Sequence, residues 1–210
     1  MRRTGIVLAL VAALLVGVTS AWAVSFYPLP APAEKGVAKA ERGPSNGVAL
    51  FATSWGVASS GGGTDTFSGV LLAGQFALGD KWVVGGALNS VGDGDTTTIT
   101  EGNVTYRLGG DWGVQAGLVH WEGGYDDYLL CGVKSFRDKS KDAWQADVGL
   151  GWYSWDWGGA IERENAATLF ASAGYNVAKS VSVNASVWTI SLPDTDVNVT
   201  RSALGVGYRF

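Results

Sequence analysis

From residue 197 to the end of the chain, apolar and polar positions alternate with a period of two. Leu204, Val206, Tyr208 and Phe210 share one face of this stretch, while Gly205, Gly207 and Arg209 share the other. Successive side chains of a β-strand point to opposite faces, so the pattern predicts a strand with one apolar and one polar side. The same alternation recurs upstream. Val181, Val183, Ala185 and Val187 alternate with Ser182, Asn184 and Ser186, and Leu169, Ala171, Ala173, Tyr175 and Val177 alternate with Thr168, Phe170, Ser172, Gly174 and Asn176. Further stretches run from Trp144 to Tyr153, Trp112 to Leu118 and Asn103 to Leu108, with two more around Val70 to Leu78 and Trp82 to Asn89. Residues Ala49 to Ala58 predict an opening strand of unclear parity, because both of its faces are apolar.

The connections fall into two kinds. Gly79-Asp80, Gly109-Gly110-Asp111, Arg137 to Asp142 and Ala178-Lys179-Ser180 are short and rich in turn formers. Between them lie polar stretches read as longer loops: Ser59 to Asp65, Val91 to Thr97, Glu122 to Asp127, Asp156 to Ala166 and Leu192 to Asp196. Alternating short and long connections on stretches near ten residues long are the arrangement of a membrane β-barrel, with the short turns on the periplasmic side. Keeping that alternation makes Tyr128 to Phe136 a strand and the count about ten, with eight as the fallback. The expected fold is all-β: a closed antiparallel up-and-down transmembrane β-barrel over residues 46–210.

The start of the chain fits an exported protein. Arg2 and Arg3 precede an apolar run from Ile6 to Val18, and Ala21-Trp22-Ala23 supplies a small-x-small cleavage pattern. Residues 1–23 therefore read as a signal peptide, the apolar run being about half of the roughly 20 residues a spanning helix needs. Residues 24–45, with Pro28, Pro30 and Pro32, read as a Pro/Ala-rich periplasmic lead-in. Fifteen basic residues stand against 19 acidic ones, and cleavage removes Arg2 and Arg3 from the basic side. No basic patch for nucleic acid emerges from that balance. Cys131 is the sole cysteine, so no disulfide forms within the chain, and the single His120 with scattered acids offers no metal-ligand spacing. No cofactor is indicated. The chain is 47% hydrophobic with a mean hydropathy of +0.13, yet its mature part contains no convincing spanning helix. For such a chain in a membrane, a closed barrel is the remaining way to satisfy every backbone group.

Strand parity then sorts side chains by environment. Trp82, Trp112 and Trp144 follow short turns, and Tyr106, Tyr175, Tyr208 and Phe210 precede a turn or the chain end, all on the outward face. Seven amphipathic aromatics at one end make an interfacial girdle. Trp55, Trp121, Trp152, Trp155, Trp157 and Trp188 are assigned to the opposite rim, where they are less regular. The polar positions assigned to the lumen include Glu101, Arg107, Gln145, Asp147, Arg201 and Arg209. Charges of both signs in a narrow lumen predict interior ion pairs, since a buried charge without a partner is costly.

The signal peptide, the strand alternation and the terminal Tyr208-Arg209-Phe210 resemble the small bacterial outer-membrane barrels of the OmpA transmembrane-domain, OmpX and opacity-type group. The resemblance implies the outer membrane of a Gram-negative bacterium, reached by the general secretory route. It also implies contact with outer-membrane lipids and lipopolysaccharide, and a C-terminal strand ending in Tyr208 and Phe210 that the barrel-assembly machinery reads. An envelope structural or surface-interaction protein with a largely filled lumen is the expected function, and a narrow porin-like channel is the alternative; the external ligand is unspecified. A hydrolase is the remaining class. His120 has Glu122 where a lipid A deacylase would carry serine and Leu118 where an omptin-type protease would carry aspartate. No catalytic residue is assigned.

Deleting Phe210 removes the end of the outward face and should impair assembly. Cell fractionation and heat-modifiable gel mobility report the outcome; undiminished heat-modifiable barrel in the outer membrane would contradict the role given to the terminal aromatic.

Overall fold

A computed structural model describes residues 46–93, 95–137, 144–158, 163–178 and 180–210. The signal peptide, the lead-in, and parts of the connections around 138–143 and at Lys179 lie outside the described residues. Ten strands follow one another: β1 (Gly47–Ser59), β2 (Thr64–Leu78), β3 (Trp82–Asp93), β4 (Asp95–Gly109), β5 (Trp112–Trp121), β6 (Tyr125–Arg137), β7 (Trp144–Trp155), β8 (Glu164–Ala178), β9 (Val181–Leu192) and β10 (Val197–Arg209). Each pairs antiparallel with its neighbours in sequence, and β1 pairs with β10, so the sheet closes into a barrel. Among the described residues there is no helix. The ten-strand reading holds, including the strand from Tyr128 to Phe136.

Closure is continuous. The β1–β10 ladder runs from Gly47 opposite Arg209 to Ser59 opposite Val197. At the end that holds the C-terminus, here the near end, the Phe210 amide donates to the Asn46 carbonyl at 3.3 Å and the Arg209 amide to the Ser180 carbonyl at 2.9 Å. The β4–β5 connection is the tightest described. Gly109, Gly110 and Asp111 have φ of 106°, 58° and 66° in succession. Glycine and aspartate are among the few residues that enter the left-handed region at low cost, which is why that turn carries them.

Several strands are longer than the pattern suggested, because alternation fades where polar residues occupy both faces. β3 extends through Asp93 and β4 starts at Asp95, so Val91–Asp93 and Asp95–Thr97 are strand where the pattern suggests a loop, and Gly94 lies outside the described residues. Likewise β6 begins at Tyr125, leaving a turn at residues 122–124, and β8 begins at Glu164. Strand thus reaches farther toward the far end than the pattern suggested; residues 94 and 159–162 of the connections there lie outside the described residues.

Parity divides the side chains into two sets. Leu50, Leu72, Leu88, Leu150, Leu169, Leu204 and Val206 are exposed on the outside, while Gln115, Asn89, Asn184 and Asp147 are buried inside. An apolar outer face is the inverse of a water-soluble domain and the arrangement of a barrel in lipid. The parity of β1 is resolved: Ala49, Phe51, Thr53 and Trp55 point inward, Leu50 and Ala52 outward. Glycines on the inner face make room for rings. A Cβ on Gly149 would lie 1.8 Å from Cε1 of Phe170, the residue directly opposite on β8.

Arginine in place of Val148 or Leu150 should therefore cost about 2–4 kcal/mol, as for a cation on the lipid face near the midplane. Gly149→Ala acts instead by displacing the Phe170 ring. It should be non-additive with Phe170→Ala, whereas Val148→Arg should add to it, in a lipid-refolding titration. Equal behaviour of the two faces would refute the register.

Candidate functional site

The lumen holds the distinctive chemistry. At the near end it is lined by polar and small side chains together with Phe51, Leu71 and Val133. Gln145 Nε2 donates to Asp147 Oδ2 at 3.2 Å, and Asn184 Nδ2 donates to Ser182 Oγ at 3.0 Å. Cys131 Sγ lies 3.4 Å from Gln115 Oε1. Arg209 is buried at this end, and Arg107 is half-buried on the inner face of β4.

Midway along the barrel, Glu101 of β4 and Arg201 of β10 meet through Arg201 Nη1 and Glu101 Oε1, both side chains almost fully buried. Three strands separate β4 from β10 by the shorter way round the wall, so this ion pair spans the bore. The guanidinium also lies between two indoles, its Cζ 5.1 Å from the ring centroid of Trp55 and 5.2 Å from that of Trp188. Arginine is suited to this double duty, because its planar cation stacks on rings while its edge binds a carboxylate.

Beyond the ion pair, toward the far end, aromatic rings fill the lumen. Centroids are 5.8 Å apart for Trp55 and Trp188, 5.7 Å for Trp55 and Trp121, 5.4 Å for Trp121 and Trp155, and 5.6 Å for Trp155 and Trp157. Tyr153 joins at 5.2 Å from Trp188. Tilted and edge-on contacts at these distances are the favourable geometry for aromatic pairs. Aliphatic side chains complete the plug, among them Ile99, Val119, Ile190, Leu192 and Val199.

Two carboxylates fasten the plug. Asp127 accepts from Trp121 Nε1 at 2.6 Å, Tyr153 Oη at 2.9 Å and the Asp156 amide at 2.7 Å. Glu164 accepts from Trp157 Nε1 at 3.1 Å, the Asp194 amide at 2.6 Å, the Thr195 amide at 3.2 Å and Thr195 Oγ1 at 2.9 Å. Each anion is ringed by donors that have no other use, which offsets its loss of water. Asp127 ties β5 and β7 to β6. Glu164 ties the β9–β10 turn to β8.

The sequence-assigned side chains thus fall as follows. Glu101 and Arg201 are brought together, as are Gln145 and Asp147; Arg107 and Arg209 lie at the near end of the lumen. Trp82, Trp112, Trp144, Tyr175, Tyr208 and Phe210 are exposed on the outside at the near end, and Tyr106 stacks on Trp82 at 4.6 Å. Lys81 and Lys134 lie over the Tyr106 and Trp112 rings at 5.9 and 5.0 Å.

The assignment of a second aromatic rim does not hold. Of its tryptophans, Trp55, Trp121, Trp155 and Trp188 point into the lumen, and Trp152 faces outward. The parity of Trp152 and Trp188 follows from their strands, that of Trp55 does not, and the amphipathic character of all of them suggests an interface. Asp127 and Glu164, which the pattern places in loops, belong to β6 and β8; each takes one donor six or seven residues away and the rest from 26 to 31 residues away, and no local pattern marks the distant ones. His120 faces outward and its Nδ1 lies 2.7 Å from Asp126 Oδ1.

No protein-family model matches the chain, and no curated protein matches its sequence. Among solved structures it is similar to Ail, the attachment invasion locus protein of Yersinia pestis, at 16% identity over 80% of this chain and 100% of that one, with a TM-score of 0.40. It is also similar to the β domain of the Bordetella autotransporter BrkA, at 13% identity over 79% and 100% with a TM-score of 0.47. The N-terminal β-barrel domain of Pseudomonas aeruginosa OprF is similar at 14% identity over 79% and 98%, with a TM-score of 0.35.

Asp127→Ala strands three buried donors and should cost about 1–3 kcal/mol. Asp127→Asn keeps an acceptor and should cost less. The near-ultraviolet circular dichroism of the tryptophans should weaken in the alanine variant while the strand signal persists. An unchanged aromatic spectrum would show that the carboxylate does not hold the rings.

Proposed function

We propose that the chain is an integral protein of a Gram-negative outer membrane, exported behind the signal peptide read in residues 1–23. In this reading it works as a closed scaffold, an envelope structural or surface-interaction protein with a filled lumen. The observation that carries it is the obstruction of the bore: the Glu101–Arg201 pair crosses it, and the stacked rings fill it beyond. A conduit needs a continuous polar path, and the Trp55, Trp121, Trp155 and Trp188 cluster interrupts it. A barrel only slightly wider than the eight-stranded kind has little interior to spare once side chains fill it.

The near end, with its girdle and two lysines, belongs on the periplasmic side, and the far-end connections belong outside. Side chains there are acidic and hydroxylated, including Asp65, Asp95, Glu122, Asp194 and Thr195. Contact with lipopolysaccharide at the wall, and recognition of Tyr208 and Phe210 by the assembly machinery, fit the same placement. External binding would use the strand ends and connections at this rim.

Purified, refolded protein in a planar bilayer should be silent or show only rare, small openings. Steady ion-selective currents in the wild type, altered by Arg107→Ala or Asp147→Ala, would replace the scaffold by a narrow channel.

A further inference from the structure

The outer wall is not the same all the way round. On β10, β1, β2 and β3 the outward residue that follows the apolar belt toward the far end is an exposed serine: Ser202, Ser54, Ser68 and Ser90. Strand pairing makes them neighbours, with Ser54 opposite both Ser68 and Ser202, and Ser90 opposite Val70. Across the barrel, the outward residues that follow Leu118, Leu130 and Leu150 are His120, Tyr128 and Trp152. Tyr128 and Trp152 are exposed, and His120 lies opposite Asp126 on the neighbouring strand. One arc is thus uncharged hydroxyl, the other aromatic and ionic.

Arg163 completes the second arc. It precedes β8, yet its guanidinium reaches past β7 to β6. Its Cζ lies 4.7 Å from the Tyr128 ring centroid, and Nη1 donates to the Asp126 carbonyl at 2.7 Å. Ser154 of β7, opposite Tyr128 and on the same outward face, is buried beneath this crossing. Nη2 donates to Asp156 Oδ2 at 2.8 Å, and Asp156 is itself fixed: its amide donates to Asp127 and its Oδ1 accepts from the Gly158 amide at 3.0 Å. The acids of the arc are matched. Asp126 has His120 Nδ1 at 2.7 Å, Asp156 has Arg163, and Glu122 Oε2 accepts from the Thr98 amide at 2.8 Å. A guanidinium carries five N–H donors in a planar fork, and these contacts take two of them. Among the described residues, Arg163 and His120 are the basic side chains at the far end of the outer wall.

Position and chemistry together select a partner. The arc faces sideways at the far edge of the apolar belt, so it meets what lies beside the barrel in the headgroup layer. Exposed amphipathic rings suit the C–H faces of sugars, and a guanidinium with an imidazole on the same arc suits a phosphate. We propose that His120, Tyr128, Trp152 and Arg163 form a docking site for the phosphorylated disaccharide headgroup of one lipopolysaccharide molecule, and that the serine arc does not. The inference deepens the lipopolysaccharide contact proposed above and rests on that membrane placement.

The test titrates bisphosphorylated lipid A into refolded protein in detergent micelles and counts bound lipid by native mass spectrometry. Wild type should hold one lipid A in a saturable adduct. It should hold less tightly both dephosphorylated lipid A, which offers the sugar alone, and phosphatidylglycerol, which offers an anionic phosphate alone. Arg163→Gln should weaken the lipid A adduct about tenfold, as for loss of a charge-assisted contact. Trp152→Ala should weaken it as well. That residue makes no part of the Arg163 crossing, which keeps the test open if Arg163→Gln fails to fold. Ser54→Ala and Ser202→Ala should leave binding unchanged. Equal binding of either comparison lipid, serine variants that weaken the adduct as much as Arg163→Gln, or no saturable adduct on a folded barrel would each overturn the docking site while leaving the barrel in its membrane. Failure of wild type to insert into any lipid vesicle would remove the membrane placement itself.

Discussion

Inside a hydrocarbon layer an unpaired backbone N–H or C=O finds no water, and each costs several kcal/mol. The pairing of β1 with β10 answers that constraint, and the rest of the molecule depends on it. Closure leaves no strand with a free edge, so no segment needs covering by a helix or a second sheet. It also fixes parity all the way round. With Gly47 opposite Arg209 and each later ladder set by a short turn, the facing of every side chain follows. The lumen then becomes a sealed volume whose polar groups have to satisfy one another. Glu101 and Arg201 meet across it because each would otherwise be a buried charge without a partner.

One strand serves two solvents. On β10, Leu204, Val206 and Tyr208 face outward near the C-terminus, whereas Ser202, Thr200 and Asn198 take the same face farther along. The inner face of that strand changes from Arg209, Gly207 and Gly205 to Ala203, Arg201 and Val199. A simple period-two pattern survives this exchange, because alternation is kept while the identity of the apolar face flips. Arg201 stands at the crossover, with a carboxylate on one side and two indoles around it. This cation thus joins the near half of the lumen to the aromatic plug.

This exchange explains which parts of the molecule could be read from sequence. The strands richest in alternating Leu, Val and Ala, such as Val181 to Val187 and Trp144 to Tyr153, lie where lipid is outside, so their existence and facing were legible. Val91 to Thr97 looked like a loop because there both faces carry small or hydroxylated residues, and β3 and β4 continue into it all the same. The tryptophans of the plug were misplaced for a related reason. Indoles suit an interface, yet strand register sends Trp55 inward with Phe51 and Thr53, and Trp188 inward with Ser182 and Asn184. Partnerships were not legible at all. Glu101 and Arg201 are 100 residues apart, and Asp127 meets the Asp156 amide 29 residues away. Such contacts come from closure, which no local pattern encodes.

The same closure gives the glycines of the lumen a purpose beyond turns. Gly149 lies directly opposite Phe170, Gly205 opposite Phe51, and Gly151 opposite Cys131. At each of these glycines a Cβ would come within 2.6 Å of the side chain facing it. At these three pairs an inward side chain is set against a residue with none. Elsewhere bulky inward residues do face each other, as Phe170 faces Trp188 and Phe51 faces Leu71. The glycines let the Phe51 and Phe170 rings enter the bore without forcing those ladders apart. At these sites the fill of the lumen is a property of paired positions. A ring and its opposing glycine have to be considered together, since either alone would predict a gap or a collision that the closed barrel does not contain.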